Sequence, residues 1–294
     1  MNNSSEMTQK DLKLPLEQWQ DETLGGYDCV QGAGEIHLLH GNGFCARTLE
    51  PFAASLDSDA RWLLTDIPGQ GISQRPGAAE PDWNQMAEDI ASSIRQRASG
   101  PVTGIGHSMG GVLTLMAAAR HPDVFSRIVL LDPVLFPPEI IAVQALLRRS
   151  GLWRRTALVR KVSARRSVWP GAAALAEDLR RKALYRDWHS QALEAFVRYG
   201  AVADEEGRVR LRCAPEWEAA IFGSYPRKLW RSVAGVSCPV DILVASRSYG
   251  FIPRAVRKAQ ALNSNVKVHE VSGTHCFPME NPEQAAQLVR RIIS

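Results

Sequence analysis

Gly106-His107-Ser108-Met109-Gly110 is the stretch of this chain with the most chemistry in it. An apolar run precedes it and a helical pattern follows. In that setting G-x-S-x-G forms a strained strand-to-helix turn that lifts a serine hydroxyl above a sheet. The glycines suit the turn because neighbouring backbone comes too close for a Cβ atom. The serine would also sit at a helix N-terminus, where partial positive charge favours a developing anion. These residue types predict a nucleophile at Ser108, against the plainer reading of a glycine-rich turn with an incidental serine. His40-Gly41-Asn42-Gly43 ends an earlier apolar run. The loop there can supply one backbone N–H of an oxyanion hole, and the residue after the nucleophile the other. That assigns the donors to Asn42 and Met109. The competing reading is a tight turn.

With these motifs stand Asp66-Ile67-Pro68-Gly69-Gln70-Gly71 and Gly273-Thr274-His275. In this order the set resembles a capped serine hydrolase, esterase- or lipase-like, of the α/β-hydrolase superfamily. The resemblance covers nearly all of the chain outside its middle third. It is specific for the superfamily and weak for substrate. One departure is Gln70, where the family usually has His. The resemblance places the base after the last strand, and His275 follows a strand and a Gly turn there. A neutral imidazole takes the serine proton and later returns it. His107 lies within the turn and His40 behind the oxyanion loop, so both read as packing residues.

The triad acid usually follows the next-to-last strand in the family. Here that stretch holds no Asp or Glu from Ile242 to Val268, and Ser248 stands where the acid is expected. Asp241 lies at the wrong end of that strand. Asp132 instead ends the strand after the nucleophile helix, at the edge where such sheets place their chemistry. It keeps the order Ser108, Asp132, His275. Asp132 is therefore the expected acid, although Asp-Pro also marks an ordinary turn.

These side chains need a scaffold. Short apolar runs end in the turns just named: Ile36–Leu39, Arg61–Thr65, Val102–Ile105 and Arg127–Leu131. Helical stretches at about 46–56, 84–97 and 112–120 separate them. The alternation resumes at 239–244, 253–262, 266–271 and 282–293. Buried parallel strands with helices on both faces give this pattern. The stretch between is too long for a loop and should be a cap with its own packing. It holds 19 Lys and Arg against 10 Asp and Glu between Glu139 and Arg231, a net of +9, in a chain of net +4. The remainder is thus net −5. Paired basic residues such as Arg148-Arg149, Arg154-Arg155 and Arg160-Lys161 suit either an anionic substrate or, more simply, a solvated helix face.

The composition is globular, with 45% hydrophobic and 22% charged residues among 294. This excludes a disordered or collagen-like chain. Five scattered cysteines without metal spacing predict neither a zinc site nor a disulfide framework. Cys45 and Cys276 read as small buried fillers. No signal peptide and no membrane span are expected. Gly41-x-Gly43-x-x-Ala46, with Asp66 on the next strand, mimics a dinucleotide fingerprint. That reading leaves the serine and histidine motifs unexplained.

The expectation is an α/β-hydrolase fold, with a mostly parallel sheet, helices on both faces and a helical cap insertion. Residues 1–136 and 234–294 would form the core and 137–233 the cap, or lid, over Ser108. The resemblance implies a serine hydrolase cleaving a carboxylic ester through an acyl-enzyme. A serine nucleophile argues against dehalogenase or epoxide hydrolase chemistry, where such relatives use Asp. Thioester hydrolysis, or C–C cleavage of a diketone, would use the same triad. A catalytically silent binding protein is the reading from another class. Neither metal nor organic cofactor is expected. The partner is a small ester or acyl substrate rather than nucleic acid, and the location cytoplasmic. The sequence leaves the oligomeric state open.

Overall fold

A computed structural model describes residues 14–29, 32, 34–57, 60–77 and 80–294. Its strands are β1 (Glu17–Gln20), β2 (Gly25–Asp28), β3 (Glu35–Leu39), β4 (Arg61–Asp66), β5 (Val102–His107), β6 (Phe125–Leu131), β7 (Val168–Trp169), β8 (Ala201–Ala203), β9 (Val209–Leu211), β10 (Val240–Arg247) and β11 (Val266–Thr274). Eight form one sheet in the order β1-β2-β4-β3-β5-β6-β10-β11. From β4 to β11 the strands run parallel. β1 and β2 add an antiparallel edge. The sequence pattern missed that edge because each strand is only four residues long and β2 opens on Gly25-Gly26.

Period-2 alternation decides which side each strand residue serves. Leu38, Trp62, Leu64, Ile105, Val129, Leu131 and Leu243 enter one core with Phe52, Ala285 and Val289. Leu39, Leu63, Ile128, Leu130 and Ile242 enter the other with Ile90, Met116 and Val256. Helices Glu50–Leu56 and Pro282–Ile293 thus cover one face. Trp83–Arg97, Met109–Arg120 and Ile252–Leu262 cover the opposite one. A sheet buried on both sides explains why its strands read as continuous apolar runs. Asp82 caps helix Trp83–Arg97 by accepting from Asn84 N, and Asn281 accepts from Gln284 N at the last helix.

The middle of the chain carries helices Pro138–Arg149, Ala157–Ser163, Ala172–Arg180, Ser190–Tyr199, Pro215–Phe222 and Leu229–Gly235. It also holds a three-stranded antiparallel sheet, β7-β9-β8, which helical patterning did not foresee. These strands have two or three residues each, too few to show a period. Leu229–Gly235 packs on Met109–Arg120 and Ile252–Leu262, beside the main sheet.

His37 lies fully buried inside β3, with Nε2 3.0 Å from Thr65 Oγ1. Burial disfavours its charged form and lowers its pKa from 6.5 to about 3. Between those values the unfolded chain binds the proton and the folded chain does not. Stability from this group is therefore complete above pH 6.5 and falls as pH drops toward 3. From pH 6.5 to 5 the loss is about 2 kcal/mol. Urea melts at pH 7 and pH 5 should show a smaller acid loss for His37→Gln than for the parent; equal losses would contradict this.

Candidate active site

The backbone at Ser108 is strained. It joins β5 to helix Met109–Arg120 with φ 56° and ψ −117°, a region non-glycine residues rarely occupy. The turn closes so tightly that a Cβ on Gly106 would lie 2.5 Å from Gly110 O, and one on Gly110 would overlap His40 O. Both glycines are required by close approach. The elbow leaves Ser108 mostly buried, its backbone N–H donating to Leu131 O at 3.0 Å.

Three sequence-selected side chains converge here from three strand ends. His275 follows β11 and its Nε2 lies 2.8 Å from Ser108 Oγ. Asp132 follows β6 and its Oδ2 lies 2.6 Å from His275 Nδ1. Asp132 is fully buried and has a positive φ of 46°. Its carboxylate is well held: Ala245 N–H donates to Oδ1 at 2.9 Å, and the Ser248 hydroxyl donates to Oδ2 at 2.5 Å. Ser248 therefore does not face the imidazole in place of an acid; it supports the acid that does. The pairing of β6 with β10 makes this possible, since it lays Leu131 beside Leu243. Asp241 is occupied elsewhere, with His269 Nε2 at 2.9 Å.

The His40-Gly41-Asn42-Gly43 loop follows β3 and lies against the elbow. A Cβ on Gly41 would be 3.1 Å from Ser108 Cβ. His40 Nε2 accepts from Ile67 N at 3.0 Å while Nδ1 donates to Gly41 O at 2.8 Å, which fixes its tautomer. Asp66, fully buried, accepts from Ala46 N at 2.6 Å and Ile72 N at 2.9 Å. Gln70 is the residue whose use the sequence did not show. Its Oε1 accepts from Gly43 N at 2.6 Å, and its Nε2 donates to Asn42 Oδ1 at 3.1 Å. Among the described residues the backbone N–H groups of Asn42 and Met109 make no hydrogen bond.

Helix Pro215–Phe222 sits on these loops. Trp217 Nε1 donates to Pro68 O at 2.7 Å, and Asn42 Nδ2 donates to Glu218 O at 3.3 Å. The Glu218 carboxylate is near enough to Gly43 that a Cβ there would be 2.6 Å from Oε1. Burial raises its pKa to about 7, against the pull of Arg165, whose Nη2 is 2.6 Å from Oε2. The net upward direction means that desolvation outweighs the ion pair.

Aromatic rings flank the imidazole. Tyr249 lies 4.7 Å from His275, then Phe251 6.1 Å from Tyr249 and Phe136 5.5 Å from Phe251. Beside the elbow, Phe44 stacks on His107 at 6.3 Å and meets Trp188 at 5.1 Å. His107 is fully buried, with Nε2 2.8 Å from His275 O, and burial drives its pKa to about 3. It is a neutral prop for the loop bearing His275. Cys45 and Cys276 are buried, and desolvation raises both thiols to about 12. Neither is a thiolate at neutral pH.

The model of the alpha/beta hydrolase family matches residues 38–288. Two curated proteins resemble parts of the chain. A 2-(acetamidomethylene)succinate hydrolase of Mesorhizobium japonicum is 32% identical over 111 residues, 37% of this chain and 38% of that protein. An esterase of Mycobacterium tuberculosis is 30% identical over 123 residues, 40% of each. The matched segments thus span about two fifths of these relatives. Over the whole fold, the solved structure of an E-2-(acetamidomethylene)succinate hydrolase superposes with a TM-score of 0.77 at 23% identity, covering 95% of this chain and 98% of that one. The family match takes in strands β4 to β11 and every loop described above, and it covers well over half of the sequence: this chain belongs to the alpha/beta hydrolase family.

Proposed function

We propose that the protein is a serine hydrolase that cleaves a carboxylic ester through an acyl-enzyme. The observation that carries this reading is the unbroken line from Ser108 Oγ through His275 to the Asp132 carboxylate. Ser108 Oγ attacks the carbonyl carbon while His275 Nε2 takes its proton. Asp132 holds the imidazole with Nε2 facing the serine and stabilises the imidazolium. The carbonyl oxygen becomes an oxyanion, received by the Asn42 and Met109 N–H groups. Such donors contribute about 3–4 kcal/mol each. His275 returns the proton to the leaving alcohol. A water molecule then repeats the sequence and frees the acid. The relatives named hydrolase and esterase favour this chemistry. A fluorophosphonate should label Ser108 and no other residue of the native protein. Absence of labelling would favour the silent binding protein instead.

Residues 137–233 act in this reading as a lid, apart from Leu229–Gly235, which packs with the core helices. Support comes from Trp217 and Glu218, which rest on the Pro68 and Asn42 loops. The substrate presents an apolar group to the Tyr249 ring beside His275 and to the Phe251 and Phe136 rings that follow it. Removing one aromatic wall costs about 1–2 kcal/mol of apolar contact. Tyr249→Ala should therefore reduce kcat/KM for aromatic or long-chain esters roughly fivefold to thirtyfold, chiefly through KM, with acetate esters nearly unaffected. A uniform loss across all esters would mean the ring serves His275 rather than the substrate.

A further inference from the structure

The basic residues of the middle segment have no part in the reaction above, and their surroundings are unusual. Helix Pro138–Arg149 contains Ile140, Ile141, Val143, Leu146 and Leu147, yet no residue of it is buried. Ile141 and Leu147 pack partly inward. Val143 and Leu146, one turn apart, are 56% and 68% exposed. The next two helical turns continue the pattern, with Leu152 44% and Leu158 51% exposed. A surface helix normally turns its apolar stripe to the core. Here part of the stripe points to water.

Charge identifies what covers it. Residues 138–166 carry eight Lys and Arg against one acid, a net of +7 in a chain of net +4. Arg148 and Arg154 are paired with Glu80, and Arg165 with Glu218. Arg149, Arg155, Arg160 and Lys161 are exposed and make no ion pair among the described residues. They alternate along the chain with Val143, Leu146, Leu152 and Leu158. A second copy is a poor partner, because an isologous contact would set these unpaired cations against their own copies. Nucleic acid would answer the charge but not the aliphatic side chains. An interfacial surface answers both: apolar side chains enter the acyl boundary while cations meet anionic headgroups.

We propose that residues 138–161 form a docking surface for an anionic phospholipid bilayer, lying on it without spanning it. The surface begins six residues after Asp132, which follows β6. This inference does not depend on the ester-hydrolase reading. The test is flotation of the full chain with phosphatidylcholine vesicles, with and without phosphatidylglycerol. Binding should require phosphatidylglycerol and weaken with salt. Each of Arg155→Gln and Lys161→Gln should weaken it about fivefold. Leu146→Glu with Leu158→Glu should reduce it at least tenfold, while circular dichroism and fluorophosphonate labelling stay as in the parent. Equal binding to both vesicle types, binding to neither, or indifference to the leucine changes would overturn the proposal. So would a dimer that Leu146→Glu dissolves, since a second copy would then own the face.

Discussion

Ser108→Ala should abolish ester turnover while the protein melts at the parent temperature or slightly above it. The hydroxyl is the attacking atom in the proposed reaction, and nothing else near His275 Nε2 can replace it. Cys45 and Cys276, in the loops that carry the site, are buried, and desolvation holds their thiols protonated. Loss of the serine nucleophile in a comparable triad costs about 10⁶-fold in kcat, or about 8 kcal/mol. The fold should not suffer, because alanine keeps the backbone at φ 56° and removes only a partly buried hydroxyl. Sites that hold such strain are often more stable once their function is removed. Steady-state kinetics and a thermal melt together make the test. Retention of most activity by Ser108→Ala would end the serine mechanism, whatever the geometry of the elbow.

Asp132→Asn is expected to cost about 10⁴-fold in kcat, roughly 5 kcal/mol, with the fold retained. An amide can present its NH₂ to Nδ1, which favours the wrong tautomer and brings no charge to the imidazolium. The side chain is buried and takes hydrogen bonds from Ala245 N–H and the Ser248 hydroxyl, so asparagine also meets two donors with one carbonyl oxygen. Ser248→Ala removes one donor to a charged acceptor, a change of about 1.5–3 kcal/mol at most. It should therefore slow turnover far less than Asp132→Asn. Adding Ser248→Asp to Asp132→Asn sets a carboxylate within one side chain of the imidazole and should restore part of the rate. A Ser248→Ala enzyme as slow as Asp132→Asn would reverse the roles assigned to these two residues.

Much of this arrangement was legible in the chain because it is local. Glycine spacing around Ser108, the His-Gly pair at residues 40–41 and the turn before His275 each follow from a few neighbouring residues. Backbone crowding dictates the glycines at 106 and 110, and a positive φ the one at 273. Apolar runs ending in turns likewise revealed the parallel sheet, because strands buried on both faces need hydrophobic residues throughout. Asp132 stood out through the resemblance, which looks for the acid at a strand end and finds none after the next-to-last strand.

Only the tertiary structure decided what depends on register and on contact between distant segments. The lateral pairing of β6 with β10 brings Ser248 to Asp132, 116 residues apart, and no sequence period encodes that register. Gln70 reaching Gly43, and Glu218 settling over the same glycine, also join segments whose separation in sequence carries no signal. The short strands β7, β8 and β9 pair their backbone groups within the middle segment, and two or three residues each are too few to show a period in the sequence. The sequence by itself singled out the candidate residues and the turns that carry them. Three-dimensional packing decided their partners, because hydrogen bonds over long chain separations depend on the strand order that the hydrophobic cores hold.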